Sequence, residues 1–197
     1  MNDNLQDVLF ENETVLWQGK PDKFCFLWRP LGKQLPIAII WLLFDIFFIG
    51  TMISSGAAKD MWLFLVVFFG LHLLPVWKVI GSVIKSRLEH KNVIYAVTDK
   101  RVIIRNGVIG LDFDSVSYTD ISNVRVDVSV LEKIRNVGSV FISTSSGTST
   151  CLCSIEEPYV VYKKLNKVFM DVNSDIQFPN AYRPTENPGY NTKYINK

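Results

Sequence analysis

Residues 34–58 carry a single charge, Asp45, and the centre of this stretch, LPIAIIWLLFDIFFIGTMIS, is an almost unbroken apolar run. A helix needs roughly 20 apolar residues to cross a bilayer core, so the run is long enough to span one. Asp45 opposes insertion by about 2.5–3.5 kcal/mol, whereas each Leu, Ile or Phe favours it by about 0.3–0.6 kcal/mol. The run holds about twelve such residues. Together they contribute roughly 4–7 kcal/mol, so insertion prevails. A second run, MWLFLVVFFGLHLLPVW over residues 61–77, is about 25 Å long as a helix. Lys78 can snorkel, residues 79–84 let the span continue, and Pro75 is a candidate kink.

The polar turn SSGAAKD at residues 54–60 joins the two runs, which predicts an antiparallel transmembrane hairpin over residues 34–84, with helices at about 35–54 and 61–80. Trp28, Trp62 and Trp77 lie at the ends of the runs, where interfacial indoles belong. Two buried helices of a soluble protein are the alternative reading. The first apolar run begins only near residue 35 and the chain has no basic start, so a cleaved signal peptide is not expected.

Charge is nearly balanced overall, with 21 Lys and Arg against 19 Asp and Glu, so no global basic field argues for nucleic acid. Its placement is uneven. Lys20, Lys23, Arg29 and Lys33 precede the hairpin, and Lys78, Lys85, Arg87 and Lys91 follow it, while the turn pairs one Lys with one Asp. The positive-inside rule then puts both termini in the cytoplasm, with a multi-pass protein in the plasma or inner membrane and residues 1–33 as a cytoplasmic leader. Cys25, Cys151 and Cys153 form an odd set without zinc-like or C-x-x-C spacing. Reduced thiols facing the cytosol are expected, not a disulfide framework.

Past His90 the periodicity changes to two. NVIYAVT and RVIIRN flank the two-residue connection Asp99-Lys100, and in the second of these Arg101, Ile103 and Arg105 share a face opposite Val102 and Ile104. Residues 111–117 alternate, as do Val124, Val126 and Val128 with Arg125, Asp127 and Ser129. Further strands are expected at 139–144 and 148–153, so residues 90–172 read as an antiparallel sandwich or barrel. Ser154 and Glu157 match a capping box with Pro158 in the first turn. Val161, Leu165, Val168 and Val172 then form one apolar stripe opposite Lys163, Lys164 and Lys167, an amphipathic helix that closes the sheet. Residues 173–197 are rich in Asn, Pro, Tyr and Thr, and are expected to be a disordered tail.

The order Tyr95-x-x-Thr98-x-x-Arg101-x-x-x-x-x-Gly107, then Tyr118-x-x-Ile121, a valine strand, Leu131, Gly138 and a hairpin closing into a helix resembles the bacterial pleckstrin-homology (PH) domain family of YdbS-like membrane proteins. The opening ETVLWQGKP at residues 13–21 is similar to that family's leader. Asn136 departs from the pattern, standing where the family usually has the first glycine of a G-x-G turn. The resemblance implies an α+β membrane protein: a two-helix transmembrane hairpin followed by a PH-like, strongly bent antiparallel sheet of about seven strands, capped by a C-terminal amphipathic helix. It supplies no catalytic site.

No P-loop, nucleophile elbow, zincin or dinucleotide motif is present, and His72 and His90 are the only histidines. No catalytic residue, metal, cofactor or small-molecule substrate is therefore expected. Cys151 and Cys153 share a strand face, where a core or solvent position outweighs a metal or redox pair. Lys100, Arg101 and Arg105 resemble the basic loop with which many eukaryotic PH domains hold phosphoinositide headgroups. A solvated strand face is the plainer reading, because Asp99, Asp112 and Asp114 dilute the charge. Asp45 and His72 fall at nearly equal depth on the two apolar runs, offset by about 4.5 Å, and read as a structural interhelical pair, an oligomer contact or part of a transport path. The reading that results is a non-enzymatic, membrane-anchored interaction or scaffold module, whose partners are the bilayer and a protein or a second copy. An anionic-lipid sensor and a subunit of a small transport assembly are the alternatives.

Overall fold

The computed structural model describes residues 5–56 and 61–177. The chain divides into two compact units, one made of residues 26–91 and the other of residues up to 25 together with those from 92 onward. In chain order the elements are β1 (Val15–Gly19), α1 (Lys23–Trp28), α2 (Leu31–Ser54), α3 (Trp62–His72), α4 (Leu74–Asn92), β2 (Ile94–Thr98), β3 (Arg101–Asn106), β4 (Asp112–Ser117), a 3-10 turn (Tyr118–Asp120), β5 (Ile121–Asp127), α5 (Val130–Ile134), β6 (Val137–Thr144), β7 (Ser149–Glu156) and α6 (Pro158–Gln177).

In the helical unit, Gln34–Ser54 of α2 is long and apolar enough to cross a membrane, with a mean hydropathy of 2.2 and only 11% of its window buried. The second apolar run is not the single helix expected over 61–80. It is α3 and α4, bent by 51° at Leu73. Pro75 accounts for the break, because it has no N–H to give to the carbonyl of residue 71 and its ring crowds that carbonyl. The chain re-forms its ladder on either side, with Leu73 N donating to Phe69 O and Trp77 N to Leu73 O, each at 3.0 Å. Of the expected turn at 54–60, residues 57–60 lie outside the described residues.

Among the described residues the other unit is α+β with seven antiparallel strands, but they hydrogen-bond as two sheets, β1-β2-β3-β4 and β5-β6-β7, in place of one bent sheet. The 3-10 turn interrupts the ladder between β4 and β5. The leader expected as a separate segment supplies the first strand, since β1 pairs with β2 through Trp17↔Val97 and Gly19↔Tyr95. Residues just before β1 lie on the sheet as well. Leu5 packs with Ala96 and Ile103, and Leu9 and Phe113 flank them. The face of β3 expected to be solvated is therefore covered. Behind it, Val97, Val102, Val140, Ile142, Leu152, Ile155, Val161 and Leu165 are fully buried. The expected stripe of α6 faces β5, β6 and the 3-10 turn.

The S-x-x-E pattern at 154–157 does not start α6. Ser154 belongs to β7, and Glu157 accepts the first helical bonds, from the amides of Val160 and Val161, so Pro158 opens the helix one turn later than expected. The box forms instead at Ser129 and Glu132, heading α5, where valine alternation alone reads a continuing strand. At its other end α6 runs to Gln177, beyond the expected boundary at 172; the remainder of the expected tail, residues 178–197, lies outside the described residues. Asn136 has φ 55°, so the residue that departs from the family pattern takes the left-handed conformation that Asn tolerates best after Gly. Gly138 is required for packing: a Cβ there would lie 2.7 Å from Pro158 Cγ and 2.8 Å from Val128 Cγ2.

Cys151 and Cys153 are joined by a disulfide, contrary to the expectation of reduced thiols. The register of β6 with β7 slips between the pairs Gly138↔Ile155 and Val140↔Leu152, and this bulge draws the two cysteine Cα atoms to 5.3 Å. That lies within the range of about 4.4–6.8 Å that a disulfide can bridge.

Candidate functional site

The hairpin between β2 and β3 carries the three basic residues singled out from the sequence, and the structure does not bring them together on an open surface. Arg101 is forked onto Glu13, with Nε 3.1 Å from Oε1 and Nη2 3.1 Å from Oε2. Nη2 also donates to Val8 O at 2.7 Å, and the guanidinium lies 4.0 Å from the centroid of the Phe10 ring. Lys100 Nζ donates to Glu11 O at 3.1 Å. Arg105 is only 6% exposed, and its Nε donates to Asn92 O at 2.9 Å. Residues 8–13 thus form a strap over the hairpin, held by the cations a headgroup would need.

Glu13 sits at the centre of this arrangement with its side chain wholly buried. Burial pushes its pKa up, but hydrogen bonds from Arg101, the Phe10 amide and Thr98, with the charge of Arg101, outweigh burial and hold it below the ordinary value. The Thr98 hydroxyl lies 2.7 Å from Glu13 Oε1 and accepts the amides of Lys100 and Arg101, which fixes the hairpin turn. Tyr118 then donates its hydroxyl to Thr98 O at 2.6 Å.

A second buried carboxylate, Glu132, ties α5 to β6 and β7. Its Oε2 accepts the Ser129 amide and hydroxyl, and its Oε1 accepts Ser139 Oγ at 3.0 Å and Ser154 Oγ at 3.2 Å. Burial raises its pKa, and these hydrogen bonds more than reverse the effect. Asp22 pairs with Arg135 at 2.9 Å and accepts the Cys25 amide. Burial, and then Asp22, push the Cys25 thiol up to about 11, so it stays protonated and unreactive at neutral pH.

Within the helical unit, His72 Nε2 lies 3.3 Å from Asp45 Oδ1, with the Asp45 side chain 3% exposed and that of His72 25%. Neither Asp45 oxygen has a hydrogen bond among the described residues. The imidazole is boxed by rings, with Phe68 stacked at 4.9 Å, Trp41 at 5.5 Å and Phe44 at 5.7 Å.

The profile of the bacterial PH domain matches residues 39–169, about two-thirds of the chain. The chain belongs to the bacterial PH-domain family. No curated protein and no solved structure matches it. PH domains are generally non-catalytic modules that contact lipids or proteins.

The family motif residues turn out to be the internal wiring of this PH domain. Thr98, Arg101 and Tyr118 all converge on the strap and hairpin, and Gly138 makes room for the start of α6. Sequence reasoning missed Glu13 as the partner of Arg101 because 88 residues separate them. A signal for β1 was present: in VLWQG, Val15, Trp17 and Gly19 share a face under strand alternation, immediately after Glu13.

Proposed function

We infer that the protein is a membrane-anchored PH module that works by protein contact at the cytoplasmic face. Residues 34–84 would form the anchor as a two-helix hairpin, with both termini inside. The apolar surface of α2 supports anchoring, with Ile40, Leu43 and Phe47 each more than 60% exposed on a helix of spanning length. The basic flanks around Lys20–Lys33 and Lys78–Lys91 support the orientation.

The observation that carries the choice of protein over lipid is the occupation of Arg101 and Arg105. A headgroup would have to displace Glu13 from Arg101 or reach an Arg105 that is already buried against Asn92 O. By contrast, the outer strands of both sheets offer backbone edges to a partner. The test is the full chain reconstituted in neutral-lipid nanodiscs. At moderate salt it should not recruit vesicles containing phosphatidylserine, whereas cross-linking in cells should join it to a specific protein or to a second copy. Recruitment of the acidic vesicles, abolished by Lys100→Glu, would replace this reading with headgroup sensing.

A further inference from the structure

Helix α5 has its polarity reversed. Its buried residue is Glu132, while Val130, Leu131 and Ile134 are 80%, 48% and 77% exposed. Val130 and Ile134 are an i, i+4 pair and Leu131 and Ile134 an i, i+3 pair, so the three apolar side chains share one face, with Glu132 on the other. A helix that only had to pack on β6 and β7 would turn its apolar face inward. Here hydrogen bonds from Ser129, Ser139 and Ser154 to the Glu132 carboxylate fasten α5 to the sheet. The carboxylate does the anchoring, and the apolar face is left for something outside the fold. The surface continues onto the start of α1. Arg135, just past α5, pairs with Asp22 at 2.9 Å and lies over the Phe24 ring, its guanidinium carbon 5.4 Å from the centroid. Phe24 is 43% exposed, and Lys23 and Lys133 are exposed next to these apolar residues in sequence.

We propose that this surface dips into the membrane that α2 crosses, with Val130, Leu131 and Ile134 among the upper acyl chains and Lys23 and Lys133 at the level of the lipid phosphates. The inference rests on the reading of α2 as an anchor. A bilayer suits the surface better than a protein groove does. Grooves hold an amphipathic helix through anchors at i, i+3, i+4 and i+7, and α5 ends at its fifth residue. A tip of branched aliphatic side chains with lysines at its border matches a leaflet, where acyl chains lie under anionic headgroups. The chain also holds the tip near the membrane. Phe24 precedes Gln34, the first residue of the apolar span, by ten residues, and a connection of that length reaches at most about 35 Å when extended. So short a tether keeps the bilayer at high effective concentration for α5. Seated in this way, the PH domain has a restricted set of orientations in which its sheet edges can meet a protein partner.

The test places an environment-sensitive fluorophore on single cysteines of the full chain, with Cys25, Cys151 and Cys153 replaced, in nanodiscs of phosphatidylcholine and phosphatidylglycerol. At Val130→Cys and Ile134→Cys the emission should shift to the blue, be lost when the lipids carry a doxyl quencher near the headgroup, and resist aqueous iodide. Ser146→Cys, past the opposite end of β6, should show the reverse. With the fluorophore at Leu131→Cys, adding Val130→Ser and Ile134→Ser should abolish lipid quenching while the near-UV circular dichroism stays native, and unchanged quenching in that variant would overturn the proposal. Leu43→Cys in α2 checks the anchor separately, through a doxyl group deep in the acyl chains. Deep quenching at Leu43→Cys with no lipid quenching at Ile134→Cys would overturn the proposal and leave the anchor standing, whereas no quenching at either would end both. Protection from iodide that grows with the number of chains per disc, without lipid quenching, would assign the face to a second copy instead.

Discussion

Arg101 and Glu13, 88 residues apart in sequence, form a two-pronged contact with Nε 3.1 Å from Oε1 and Nη2 3.1 Å from Oε2. The carboxylate is wholly buried and the guanidinium nearly so. The contact fastens the strap to the hairpin from β2 to β3, with Arg101 Nη2 also donating to Val8 O.

Breaking the contact from one side should therefore be costly. Arg101→Met leaves a buried carboxylate with only Thr98 and the Phe10 amide, and a loss of about 3 kcal/mol is expected for stranding one partner of a buried pair. Adding Glu13→Gln to Arg101→Met should recover part of that loss. Thermal unfolding followed by near-UV circular dichroism reads both. Equal stability of the wild type and Arg101→Met would mean that the strap is not held by this pair.

Acid should loosen the same unit. Glu13, Asp22 and Glu132 all have pKa values below the ordinary carboxylate range when folded, so the folded state binds fewer protons than the unfolded state near those values. Their contribution is complete above the unfolded value of about 4 and is lost as the pH falls through it toward the lower folded values. Stability of the sheets should accordingly drop below about pH 4, and Glu132→Gln should flatten that dependence at the expense of stability at neutral pH. An acid limb unchanged in Glu132→Gln would remove Glu132 from the account.

Much of the PH domain was legible in local pattern. The positions of strands β2 to β4 and the buried stripe of α6 follow from the period-two and helical spacing of their apolar residues. What escaped depended on distant partners. Nothing near Glu13 announces Arg101, and the face of β3 with Arg101, Ile103 and Arg105 reads as solvated until residues 5–13 are laid over it. The two S-x-x-E patterns are locally alike. Only the demand of Ser139 and Ser154 for a buried acceptor distinguishes the box at Ser129 from the one at Ser154 that does not form. Asp45 and His72 were paired from depth alone, whereas the rings around His72 required the structure.

Gly138 tests the packing of α6 on β6. Gly138→Ala places a methyl against Pro158 and Val128, at 2.7 and 2.8 Å, and overpacking of this kind costs about 1–3 kcal/mol. Pro158→Ala should relieve part of the cost by removing Cγ. A neutral Gly138→Ala, measured by urea unfolding, would show that α6 shifts freely.

The proposed orientation is open to thiol labelling. In a chain with Cys25, Cys151 and Cys153 replaced, an impermeant maleimide applied to intact cells should modify Ser55→Cys and leave Ser146→Cys unmodified until the cells are opened. Labelling of Ser146→Cys from outside would sink the cytoplasmic reading.

Asp45 and His72 should prove energetically coupled, and unequally exposed to loss. The Asp45 carboxylate is almost fully buried, with His72 Nε2 at 3.3 Å and no hydrogen bond among the described residues. His72→Leu therefore leaves a polar group in an apolar setting with no counterpart. Asp45→Leu leaves an imidazole that keeps its stacking on Phe68 and Trp41, so it should be the milder change. The double change removes both polar groups, and should cost less than the two single losses added together. Intramembrane couplings average about 0.6 kcal/mol, so the cycle needs unfolding in mixed micelles resolved to a few tenths of that unit. Strict additivity, or a larger loss for Asp45→Leu than for His72→Leu, would show that the contact does not stabilise the helical unit.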